Sequence, residues 1–179
     1  MMMNPQEFSQ AWRGAPLVKF ALSTLSAQGL SEAAREALSS VGLPQTAEPW
    51  LHFMEFVLTD ERTAAAFDEL HFYSIGYLAN GDFICIDKAT DKIMISDHED
   101  LFYTWTLNSS LNALYESILL FAEFIRQVNV KNPKFASDFK IPDGMLAELE
   151  QKLKNCDPAA FDEKGFWYTE IEALDDSAL

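Results

Sequence analysis

The densest run of chemically capable side chains is Ser96-Asp97-His98-Glu99-Asp100, which closes the apolar stretch Ile93-Met94-Ile95. Acid–base work or a metal site needs such ligands to converge, whereas neighbours in an extended segment point to alternate sides. The other two histidines, His52 and His71, join His98 only through tertiary coincidence. The run therefore reads as a solvated acidic loop. Cys85 and Cys156 have neither CxxC spacing nor a matching His cluster, so they read as buried thiols or a bystander pair, in a reducing compartment. GxSxG, Walker, GxGxxG and HExxH motifs are all missing. No catalytic residue, cofactor or metal is expected.

Binding is the better use of these acids. Asp87, Asp91, Asp97, Glu99 and Asp100 fall at predicted strand ends beside a half-apolar sheet face, an arrangement that suits steering of a basic protein. Asp82 directly follows the glycine of Asn80-Gly81, where an acid commonly bonds turn amides, so its reading is structural. Composition agrees: 28 acidic against 13 basic residues give a net charge of −15 over 179 residues. Eleven acids against three bases lie in residues 51–100, with a second concentration in the tail from Asp162 to Asp176. Such a surface repels phosphate backbones and anionic lipid, which argues against nucleic-acid or membrane partners. The N-terminus lacks a basic, apolar leader, and Ser117–Ile125 is too short and too charged to span a bilayer. A cytoplasmic location is expected.

Aromatic and aliphatic content is high, with hydrophobic residues at 49%, so the chain can bury a sizeable core. A helix is predicted over 5–13, capped by Asn4, and a stronger one from Ser31 to Val41, with Ala34, Ala37, Leu38 and Val41 as its stripe and Gly42 as its stop. Part of Trp50–Leu58 reads as strand. Asn80-Gly81 between apolar runs predicts a two-residue type I′ hairpin, which pairs Tyr77 with Ile84 and Ile75 with Ile86. A second hairpin at Lys88-Ala89-Thr90-Asp91 pairs Ile86 with Ile93 and Ile84 with Ile95. One face then carries Ile75, Tyr77, Ile84, Ile86, Ile93 and Ile95, and the other is mixed. A fourth strand over Phe102–Leu107 gives way at Asn108-Ser109-Ser110, all good caps, to a long helix reaching about Val128, then a helix over Pro142–Lys154 and a short one opened by Phe166-Trp167-Tyr168. Trp12, Trp50, Trp105 and Trp167 read as core. The order predicts a single α+β domain over residues 1–179: an antiparallel β-meander packed by flanking helices, with its core at about 10–130 and a helical extension at about 131–179.

Several segments taken in order resemble the SUKH superfamily, which includes yeast Smi-type cell-wall regulators and bacterial immunity proteins. They are Gly42-Leu43-Pro44, Ile75-Gly76, Asn80-Gly81-Asp82-Phe83-Ile84-Cys85-Ile86-Asp87, Ile93-Met94-Ile95-Ser96-Asp97-His98-Glu99 and Asn108-Ser109-Ser110-Leu111. The likeness is closest to the fourth subgroup and covers about residues 10–130, and more loosely the tail. The chain departs from the family in one turn, where Ala89-Thr90-Asp91 stands in place of the usual glycine. The resemblance implies a non-enzymatic domain that binds and neutralises a cognate toxin, often a nuclease or nucleic-acid deaminase. It also implies an alternative, a regulatory or scaffold module binding a housekeeping protein. An enzyme or small-molecule binder built on Asp97–Asp100 is the third class.

Overall fold

The computed structural model describes residues 3–176 except 56, 57, 59, 101 and 162–164. Parts of the predicted strand to Leu58 and of the acidic tail, Asp162 and Glu163, therefore lie outside the described residues. Helix α1 (Pro5–Ala11) opens on a capping box: the Asn4 side chain accepts from Glu7 N, and the Glu7 carboxylate accepts from Asn4 N, both at 2.9 Å. Strand β1 (Leu17–Val18) and helix α2 (Leu22–Ala27) follow. Helix α3 (Glu32–Ser40) is capped by Ser31 and buries Ala34, Ala37 and Leu38. It stops at Gly42, which has φ +82° and where any Cβ would lie 2.1 Å from the Val18 carbonyl oxygen. Gly42 opens the short strand β2 (Leu43–Pro44), which pairs with β1.

The main sheet runs β3 (Thr46–Ala47), β4 (Leu51–Phe53), β5 (Phe72–Leu78), β6 (Phe83–Asp87), β7 (Ile93–Ser96) and β8 (Thr104–Asn108), antiparallel and in chain order. Helix α4 (Glu61–Glu69) interrupts it between β4 and β5, and sequence reading missed this helix. Only one large side chain of α4 is buried, Phe67, so the helix shows no apolar stripe.

The second meander hairpin has the predicted register, Ile84 opposite Ile95 and Ile86 opposite Ile93. The first does not. Gly81 N donates to the Leu78 carbonyl and Leu78 N to the Asp82 carbonyl, which makes a three-residue loop with Gly81 as its left-handed residue, φ +99°. Asn80 instead spends its side chain on Asp82. Tyr77 therefore pairs with Phe83, and a bulge at Ile75 shifts the register again, so that Tyr73 faces Ile86. The bulge returns Ile75 to the core beside Ile84, Ile86, Ile93 and Ile95, all fully buried. Tyr77 leaves that face to stack on His52, and Leu78 takes its place inside.

Helix α5 (Leu111–Lys131), capped by Ser110, lays Leu114, Ile118 and Phe121 in the core that the sheet and α3 also share. Helices α6 (Phe135–Asp138), α7 (Met145–Cys156) and α8 (Phe166–Asp176) complete this layer. Asn108, fully buried at the end of β8, donates to Ser117 Oγ and Asp157 Oδ2 and accepts from Trp167 Nε1, each at 3.1 Å. Every polar atom of that side chain is thus engaged, and β8, α5 and α8 are joined at one point. On the opposite sheet face, Phe67 of α4 meets Phe72, Phe83 and Phe102 edge-on. The second face is therefore largely covered, and the fold is α+β.

Candidate functional site

Antiparallel order puts the start of β4, the end of β5, the start of β6, the end of β7 and the start of β8 at one end of the sheet. Trp50, the loop 79–82, the loop 97–100 and Tyr103 meet there. Asp82 is buried at 5% exposure and organises this end. It accepts from Asn80 Nδ2 at 2.7 Å and from His98 N at 3.2 Å, and its Oδ1 lies 2.9 Å from His98 Nδ1. That hydrogen bond to Asp82 is the main reason the His98 pKa is raised. Asp97 Oδ1 accepts the amides of Glu99 (2.7 Å) and Asp100 (3.0 Å), which hold its carboxyl below the usual carboxylate range. Glu99 and Asp100 themselves point into solvent.

Asp82, Asp97 and His98 bring potential metal-ligating atoms within 4.8 Å of one another. Those atoms already satisfy each other and the loop amides, and the second imidazole nitrogen faces Glu99 Oε1 at 3.7 Å rather than a hydroxyl or thiol. The arrangement is a clasp that fixes the 97–100 loop against the β5–β6 turn, leaving carboxylates outward. No Lys or Arg occurs within 79–83 or 96–105 to offset them.

Asp87 and Asp91 lie at the other end of the sheet. The four residues of β7, about 13 Å of strand, separate them from the 97–100 loop. Asp87 accepts Ala89 N and Thr90 Oγ1, both at 2.8 Å, and so clamps its own turn. Asp91 takes φ +58° in this turn. Lys88 and Lys92 stand in the same turn. The five acids thus form two groups, and the group of Asp97, Glu99 and Asp100 is the uncompensated one.

Two exposed aromatics frame the acidic end, and one of them, Trp50, had been expected in the core. Trp50 is 61% exposed and Tyr103 56% exposed, the latter stacked beside Trp105. Each stands one residue before a strand, where the inside–outside alternation no longer constrains it, and that position was the available signal. Trp167, by contrast, is buried as expected, and Trp12 and Trp105 pack partly into the core. Cys85 is buried and its thiol pKa pushed up by desolvation; Cys156 is raised to about 11, also by burial, and both are free.

Among the described residues, no helix is long and apolar enough to cross a membrane. No curated protein and no solved structure matches the chain. A family model, SUKH-4 immunity protein, matches residues 4–173, which takes in the 10–130 that the motifs suggested and the tail to which they extended more loosely. The match takes in the capped N-terminal helix, the meander with its acidic end and the C-terminal helices down to α8, and the chain belongs to the SUKH-4 immunity protein family.

Proposed function

We propose that this protein neutralises a cognate toxin by stoichiometric binding, without turnover, and that the toxin is a basic domain acting on nucleic acid. One observation carries the reading: a clasped, uncompensated acidic sheet end, set between two exposed aromatics. Asp97, Glu99 and Asp100 would meet the cationic cleft that the toxin uses for phosphate, and so occupy it by charge mimicry. Asp87 and Asp91 add to the field from a distance and steer encounter. Exposed Trp50 and Tyr103 supply the apolar contact that charge alone lacks, since interface energy concentrates in aromatic anchors. Two free cysteines fit action in the cytoplasm, where neither cofactor nor metal is required by this mode.

The test uses the C-terminal domain of the protein encoded directly upstream of this chain's reading frame. Co-expression should protect cells from it, and calorimetric titration should give one chain per toxin domain. Failure of the wild-type chain to bind or protect removes the reading.

A further inference from the structure

Beside the acidic end lies a cleft of about 390 Å³ between Trp12 and Trp50, floored by Ala47, Leu51, Ala122 and Ile125. The volume is at the low end for ligand sites, enough for one or two side chains rather than a large cofactor. The Trp12 ring and the Trp50 backbone are fixed. Trp12 Nε1 donates to the Ala15 carbonyl at 2.7 Å, and Gly14 lies so close that a Cβ there would meet the Trp12 ring at 2.3 Å. Trp50 is held by its own carbonyl, which accepts from Ala79 N in the β5–β6 turn, and it adopts φ +60°. A tryptophan kept in the left-handed region while 61% exposed is an outlier of the kind that clusters at functional sites.

The occupant follows from charge. Among the described residues, Glu48 and His52 are the titratable ones lining the cleft; on its Trp12 side Arg126 is paired with Glu123 and Arg13 donates to the Gln10 and Trp12 carbonyls, while the loops at the Trp50 end add Asp82, Asp97, Glu99 and Asp100. A second copy of the chain, itself at −15, would bring like charge against like. We infer that the Trp12–Trp50 cleft receives one aromatic or long aliphatic side chain projecting from the basic surface of the toxin partner, an anchor whose surrounding cations the acidic end holds. This rests on the binding reading above, and it adds where the energy of the complex is concentrated.

Two variants separate the anchor from the charges: Trp50→Ala, which empties one wall, and Ala122→Phe, which fills the floor. Both positions lie at or near the surface, and circular dichroism with thermal unfolding checks that each variant is folded. Against the upstream-encoded toxin domain, each should raise the dissociation rate about thirtyfold or more while the association rate changes by less than about threefold. Wild-type dissociation rates in both folded variants would overturn the cleft assignment and leave the binding reading standing; absence of wild-type binding would instead overturn the binding reading. If light scattering gave a wild-type dimer that Trp50→Ala dissolved, the cleft would be a self-interface and the inference would be wrong.

Discussion

His98 stands between a carboxylate in the interior and one in water: its Nδ1 meets Asp82, whose side chain is 7% exposed, and its Nε2 faces Glu99 at 83%. Protonated His98 gains Asp82 only in the folded chain, so the folded pKa lies above the ordinary 6.5. The sign follows: this stabilisation is complete below pH 6.5 and is lost as pH rises through the folded value. An NMR titration should place His98 above 6.5 and Asp82→Asn should bring it back down, while His98→Gln should flatten stability against pH in that window. A titration at or below 6.5 in the intact protein would mean the clasp does not form. A structural role for Asp82 was legible from its place after Gly81, although its carboxylate takes the Asn80 side-chain amide rather than a backbone amide of its own turn. Its bond to His98 was not, because 16 residues separate them and only the closed meander brings them together.

At the level of elements, legibility depended on how many local signals agreed. Helices α3 and α5 each carried a serine cap and an apolar stripe, and both formed as read. Helices α2 and α4 and the two-residue strands β1, β2 and β3 had one signal or none, since tertiary contacts hold them. The Asn80-Gly81 pair fits loops of two or three residues, and the choice was made by an Asn80 side chain that prefers Asp82. Because Ile84 and Ile93 are fully buried while Phe83 is only half-buried under Phe67, their replacements should differ. Ile84→Asp and Ile93→Asp should each cost about 4 kcal/mol or more, and Phe83→Asp about half that, by urea unfolding. Equal losses at 83 and 84 would contradict the layering. Asn108→Ala strands the Trp167 indole N–H and leaves Asp157 Oδ2 with only the Ser109 N–H, so a loss of about 2–4 kcal/mol is expected, with α8 amides exchanging ahead of those in the sheet. Uniform exchange would mean the network does not anchor α8.

Across the whole molecule, the charge excess was plain in the sequence, but its geometry was not. The five acids Asp87, Asp91, Asp97, Glu99 and Asp100 are close in the chain, yet β7 carries them to opposite sheet ends, and Lys88 and Lys92 accompany only the first two. The deciding measurement is stopped-flow association with the upstream-encoded toxin domain at two ionic strengths. It compares wild type with the double Asp87→Asn/Asp91→Asn, the triple Asp97→Asn/Glu99→Gln/Asp100→Asn, and all five together. Asp97→Asn keeps the one oxygen that accepts the Glu99 and Asp100 amides, and Glu99 and Asp100 are exposed, so the triple should fold; Asp87→Asn gives up one of the two oxygens its turn uses, a loss of about 1 kcal/mol that leaves the other variants folded as well. The five-fold variant should associate about tenfold or more slowly at low salt, the triple should carry most of this loss, and the difference should shrink at high salt. A folded triple variant that associates at the wild-type rate at both salts would contradict the assignment of the acidic sheet end as the docking surface.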